Sequence, residues 1–408
     1  MKMRNTTVRT TTTPSKRRAA VAPALLLGVA ALALTGCSTD PADAEDRAER
    51  TPAADGTRLT VTYDGGVLVL DQDLRVVSDD PIEGFTRVNP AGDGRHVLVT
   101  VPEGFRVLDT ASDPALTDAV FPADAGGHAV VHGDRTTLFA DGTGDVTAFD
   151  HDDLADTVDD GTLPEVDTTR SEAAHHGVAI ELEDGTLLTT IGTEESRAGV
   201  RALDDDGSEV ARSEVCPDVH GEGTVADEVA VFGCTDGALV YRDGTFTKID
   251  APTEYGRTGN LFTTDSSSVA VGDYNDDPDS EGYLLDQLAL IDTAQGSYAT
   301  ADLPEGVGFT FRDLARGPDD EAVVLGSDGA LHTVDVTTGE HLDTFPVIDA
   351  WEGPVEWQDP HPALKVVGDN AFVTDPATKT VHAVDLTSGE VVASSDELPG
   401  VPNEIAVA

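Results

Sequence analysis

From Leu59 onward the chain reads as short apolar runs with polar residues at alternate positions, each run closed by Asp and a polar turn. The unit recurs as VLVLD ending at Asp71, FRVLD at Asp109, VTAFD at Asp150, VRALD at Asp204, LALID at Asp292, LHTVD at Asp335 and VHAVD at Asp385, with LVYRD at Asp243 as a weaker eighth copy. Period-two alternation gives half-buried strands, and Asp followed by Thr, Ser or Gly supplies the turn between them. Successive copies lie 38 to 54 residues apart, on average about 45, which is the length of one four-stranded propeller blade. In LHTVDVTTGEHLDTF and VHAVDLTSGEVVAS the alternation resumes after the turn and predicts an outer hairpin. A second hairpin precedes it, as in GRHVLVTVPEGFRVLD and DNAFVTDPATKTVHAVD.

The pattern therefore predicts an all-β fold, an eight-bladed β-propeller over residues 58–408. Its first copy is preceded only by LTVTY, so that blade is one strand short, whereas the chain ends in PNEIAVA, an apolar strand with no hairpin after it. If residues 405–408 complete the first blade, the ring closes and no open edge remains. The long interval between Asp150 and Asp204 leaves seven blades as an alternative, and a pair of stacked β-sandwiches is the other architecture such strands could build.

The N-terminus follows a different pattern. Residues 1–18 carry six basic side chains and no acid, 19–34 form an apolar run of 16, and Leu34-Thr35-Gly36-Cys37 follows. A run of that length suits the core of a signal peptide better than a membrane span, and the small residues before Cys37 resemble a bacterial lipobox. The expectation is a signal peptide over 1–36, a lipidated Cys37, and a flexible tether over 37–57 rich in Pro, Ala and charge. The protein would then be exported and held to the outer face of the cell membrane by lipid alone. Export places Cys216 and Cys234, 18 residues apart, in an oxidising compartment that favours a disulfide. Thiolate ligation of a metal together with His220 is the competing reading.

Acidic residues number 77 against 25 basic ones, a formal net charge of -52, which excludes the basic footprint that nucleic-acid binding requires. No nucleophile elbow, P-loop or dinucleotide fingerprint occurs, so no enzyme is expected on those grounds. Candidate chemistry rests on four histidines that open a short strand at a similar place in their repeats: His128 in GGHAVVHGDRTTLF, His176 in AAHHGVAIELEDGTLL, His220 in DVHGEGTVADEVAVF and His361 in DPHPALKVVGDNAFV. The first strand of each blade lines the central channel, so such residues converge on its mouth. Imidazoles converging in an exported protein point to a transition metal, with zinc the default because neutral His binds it without redox chemistry. His361 or the nearby Asp359 would complete the shell. Arg87, Asn260 and Arg312 stand near the same place in other blades, so a polar mouth accounts for part of the pattern.

The remaining features are plainer. His96, His151, His332, His341 and His382 read as surface residues of outer strands or turns. DYNDDPDSEG at 273–282 lacks the Gly of an EF-hand loop and reads as a solvated acidic loop. A metal-dependent hydrolase or lactonase on the same fold would need a positioned base, for which Glu222 is the adjacent candidate. A metal-free interaction module is the third possibility.

The segments 174–185 (AHHGVAIELEDG), 216–240 (CPDVHGEGTVADEVAVFGCTDGALV) and 85–110 (FTRVNPAGDGRHVLVTVPEGFRVLDT) resemble those of the AztD-type periplasmic zinc metallochaperones, and the resemblance extends over nearly the whole propeller region. It implies a β-propeller that binds zinc and delivers it to the substrate-binding protein of a zinc ABC importer, with a monomer expected. His176 and His220 match the family's HHG and HGE histidines, and His128 or His132 its first histidine segment, whereas His361 is placed by register only. One departure is that LDTASDPALTDAVFPADAGG, where family members often carry a His- and Asp-rich segment, contains no His.

Overall fold

Residues 56–111, 113–158, 161–280 and 282–408 are described by the computed structural model. Residues 1–55, on which the expected signal peptide, Cys37 and most of the expected tether fall, lie outside the described residues. Among the described residues no helix is long and apolar enough to cross a membrane.

Eight four-stranded antiparallel sheets succeed one another along the chain, and the recurring Asp sits at the end of the third strand of each. Its carboxylate explains the recurrence. Asp71 Oδ1 accepts the N–H groups of Asp73 and Arg75, both at 2.9 Å, Asp204 Oδ1 those of Asp206 and Ser208 at 3.2 and 2.7 Å, and Asp335 Oδ1 those of Thr337 and Thr338, both at 2.8 Å. A side-chain oxygen that takes up the free donors of a tight turn stabilises the turn locally, wherever in the ring it falls. These donors hold the Asp335 carboxyl below the usual carboxylate range.

The long interval after Asp150 contains a 3-10 turn, His151–Asp153, and a short helix, Leu154–Val158, inserted before the outer strand Asp167–Thr169 of the same blade. It is one blade with an insertion, so the count is eight rather than seven. The C-terminal strand Pro402–Val407 pairs antiparallel with Leu59–Tyr63 and forms the inner edge of the first blade. The two ends of the chain thus share one sheet, which completes the first blade and closes the ring, leaving only the short outer and inner edges of each blade.

Hydrophobic clusters lie between adjoining blades rather than within one central core. Leu59, Val61 and Leu68 of the first blade pack on Phe372 and Val381 of the eighth, which fastens the ring, and Phe121 and Phe149 stack at 4.5 Å between the second and third. Burying each such side chain contributes about 2 kcal/mol. Because every sheet is covered on both faces by its neighbours, alternation does not separate a core face from a solvent face. His96, His151 and His332, expected at the surface, are accordingly buried. Each has a polar partner inside: Asp93 Oδ2 at 2.5 Å from His96 Nδ1, Thr136 Oγ1 at 3.2 Å from His151 Nδ1, and Asp328 Oδ1 at 3.1 Å from His332 Nε2. His341 is exposed and His382 half-buried. Asp273 likewise leaves the expected solvated loop and is buried at the end of the strand Val269–Tyr274.

The innermost strands line the channel, and their first residues meet at one mouth. Those of the third, fourth and fifth blades are Gly126–His132, Ala179–Glu181 and His220–Val225.

Candidate metal centre

Three consecutive blades carry His128, His176 and His220 to the same mouth, and local irregularities aim them. The pairing register shifts between Gly126 and Ala129 in the third blade and between His220 and Glu222 in the fifth. A bulge takes a residue out of the ladder and re-aims its neighbours: the first takes in His128, and the second falls on Gly221, directly after His220. Gly221 makes the second one possible. Its φ is +73°, and a Cβ there would press on the backbone of Gly259 and Asn260, so other residues are excluded on two counts. His176 sits in the loop ahead of Ala179–Glu181. Its neighbour His175 is turned inward, held by Ala173 O at 3.0 Å and Thr190 Oγ1 at 3.1 Å, so only the second histidine of HHG faces the channel.

One ring nitrogen from each of His128, His176 and His220 lies within 4.8 Å of the others. His220 donates from Nδ1 to the carbonyl of Gly259, and His176 from Nδ1 to Asp141 Oδ2 at 2.6 Å. Both oxygens are acceptors, so each Nδ1 carries the proton and each Nε2 keeps its lone pair. Those two Nε2 atoms face each other at 3.0 Å. His128 Nε2 is buried without a hydrogen-bond partner, and its Nδ1 lies 3.8 Å from Glu222 Oε1. Converging lone pairs with no donor between them are a fit for a cation, and three imidazoles match a zinc shell with one position open. Burial, reinforced by His128, His176 and Arg197 and opposed by the Gly259 carbonyl, holds His220 well below the usual imidazole range. That ring is therefore neutral at pH 7, the form that ligates. The His176 side chain is 43 % exposed against 16 % for His128, so the centre opens along the His176 edge.

Groups behind the ligands fix their orientation, as outer partners of metal-binding histidines commonly do. The buried Asp273 carboxylate accepts the Gly259 and Asn260 N–H groups at 2.5 and 2.9 Å and the Asn260 side-chain amide at 2.7 Å, which sets the segment whose carbonyl aims His220. Burial raises the Asp273 pKa against these bonds. Cys216 and Cys234 are joined by a disulfide with Cα atoms 4.9 Å apart. The bridge lies beside Gly233, the residue paired with His220, and the Cys234 carbonyl accepts the Thr258 N–H at 3.1 Å. The sulfurs thus brace the centre from behind and are not among its donors. Asp141 does not stand out in sequence and Asp273 does so only as the start of an acidic stretch, because Asp141 meets His176 across 35 positions and Asp273 acts on His220 through Gly259, neither through a local motif.

His361 does not join the group. It precedes the innermost strand Leu364–Val367 of the eighth blade, and in a ring of eight that blade stands across the channel from the fourth. His361 is buried, with Asp359 O at 2.7 Å from its Nδ1, and burial together with Arg312 pushes it down to about 4. Asp359 also stays within its own loop, its Oδ2 accepting the Glu356 N–H at 3.0 Å. A similar place in the repeat is thus insufficient: ligands must come from adjacent blades. His132 lies at the other end of its strand, at 3.0 Å from Glu228 Oε1, so His128 is the residue of that segment that reaches the centre.

No known family's sequence model matches the chain. It is 26 % identical over 220 residues to a curated protein, the zinc chaperone AztD of Citrobacter koseri, a match covering 53 % of this chain and 51 % of that protein. The chain therefore spans about half the length of the curated relative it matches. Two solved structures of Citrobacter koseri AztD, one of them in the apo form, superpose with a TM-score of 0.71 at 20 % identity, covering 86 % of this chain and 98 % and 97 % of theirs. At that identity they establish the fold. The computationally designed Ika8 protein superposes with a TM-score of 0.50 at 14 % identity, over 79 % of this chain and 91 % of its own. In sequence over about half its length, and in fold over most of it, this chain is similar to the zinc chaperone AztD.

Proposed function

We propose that this protein is an extracytoplasmic zinc chaperone without enzymatic activity, which takes up zinc at His128, His176 and His220 and hands it to the substrate-binding component of a zinc ABC importer. The observation that carries the reading is the set of donors: two Nε2 lone pairs facing each other at 3.0 Å and a third imidazole nitrogen buried without a partner. The likeness to a protein named as a zinc chaperone supports the same cargo. A cargo site must both hold and release. Three protein ligands leave a fourth position where an incoming donor can bind before any histidine lets go, and the exposed edge at His176 is where it would enter. The surrounding excess of carboxylates raises the local concentration of divalent cations. Acylation at Cys37 would keep the monomer at the membrane face, near an importer.

The test has two stages. Elemental analysis of protein purified without an affinity tag should find one zinc per chain, and the zinc-loaded protein should then give up its metal to the importer's isolated substrate-binding protein faster than free chelated zinc does. Absence of stoichiometric zinc would refute the site, whereas stoichiometric zinc without transfer would reduce the role to buffering.

A further inference from the structure

On the side of the channel away from the histidines, the same mouth is cationic. Arg87, Arg312 and Lys365 line a cavity of about 200 Å³ that also includes His128 and Glu222. They surround a single carboxylate, Glu404, which lies 3.1 Å from Arg87 Nε and 3.3 Å from Arg312 Nη2. This is unexpected in a chain with about three acids for every base. The guanidinium groups are held in place from behind: Arg87 lies 5.9 Å from the Phe311 ring and 5.8 Å from that of Trp357, and Arg312 lies 5.5 Å from Phe311. Such cation–π contacts fix the planes of the cations without neutralising them. Arg312 also donates to Asn403 Oδ1 and, at 3.1 Å, to the Trp357 carbonyl, yet its Nε is buried with no partner. Among the described residues the Lys365 ammonium has neither a hydrogen bond nor an ion pair, and the side chain is exposed and lines the cavity. Asp313 behind Arg312 does not restore the balance, because burial pushes it up to about 8 and leaves it neutral at pH 7.

We propose that the channel binds a small, free oxyanion of the phosphate or dicarboxylate class, held by Lys365, Arg87 and the unpaired Nε of Arg312. Three cations stand against Glu404 on this side and Glu222 across the cavity, which leaves positive charge uncompensated. A small oxyanion matches both the sign of that excess and the cavity. The inference is independent of the zinc reading and is tested on metal-stripped protein. Inorganic phosphate and succinate are the probes, chloride at equal ionic strength is the control, and Trp357, beside Arg87, is the reporter. One of the two oxyanions should saturate the tryptophan emission change with one equivalent bound by calorimetry. Lys365→Met should weaken that binding by about tenfold or more while zinc affinity and melting temperature stay unchanged. Should that variant not fold, Arg87→Gln carries the same expectation. Lack of saturation with either anion up to about 10 mM, or undiminished binding in the folded variants, would overturn the proposal.

Discussion

Replacing His220 with Ala tests the centre most directly. The perturbation removes one of three imidazoles and leaves the other two on the third and fourth blades, with Glu222 of the fifth 3.8 Å from His128 Nδ1. Structural zinc sites with four ligands bind with about 10–16 kcal/mol, so one ligand accounts for about 3 kcal/mol and its loss for about 150-fold in Kd. The substitution also leaves the Gly259 carbonyl without its donor, which costs about 1–3 kcal/mol of folding stability if water does not replace it. Affinity and fold are therefore measured separately: zinc competition against a chromophoric chelator at pH 7.5, and thermal unfolding of the metal-free protein. His382→Ala is the control, because that ring bonds to Ser394 Oγ at 2.8 Å and Thr380 Oγ1 at 3.0 Å within its own blade. A folded His220→Ala variant that binds zinc within about threefold of wild type would refute the three-histidine centre.

Other outcomes follow from the same structure. The Cys216–Cys234 bridge should leave no alkylatable thiol there in unreduced, denatured protein, and reducing it should cost about 3 kcal/mol of stability for a loop of this length. Intact-mass detection of both thiols alkylated in exported protein would contradict it. Cys37→Ser should move the protein from the membrane to the soluble fraction, and unchanged fractionation would remove the lipid anchor. His361 stays neutral in the folded state down to about 4 and takes up a proton near 6.5 when unfolded. Its contribution is thus complete above about pH 6.5 and is lost as pH falls toward 4, by about 3 kcal/mol in all. Urea unfolding at pH 7.5 and 4.5 should show His361→Leu losing about 2–3 kcal/mol less than wild type over that interval, and equal losses would show that His361 is not the group responsible.

What the amino-acid order alone determined is the part governed by short-range physics. Asp71, Asp204 and Asp335 mark their turns because each carboxylate satisfies N–H groups within four residues of itself, so the repeat, the blade count and the strand left over for closure were all readable along the chain. The convergence of His128, His176 and His220 was readable for the same reason, since the repeat itself brings equivalent positions to one mouth. Which histidines would meet was a different matter. His361 occupies a similar place in its repeat, yet only the closed ring puts two blades between it and His220 on one side and two between it and His128 on the other. The burial of His96, His151 and His332 escaped the pattern because blades are covered on both faces. The orientation of His220 by Gly259 and Asp273, and of His176 by Asp141, depends on contacts between residues 14 to 39 positions apart. Such contacts carry no local signature: they exist only after the ring has closed, when packing between blades sets the distances that hydrogen bonds and metal ligation require.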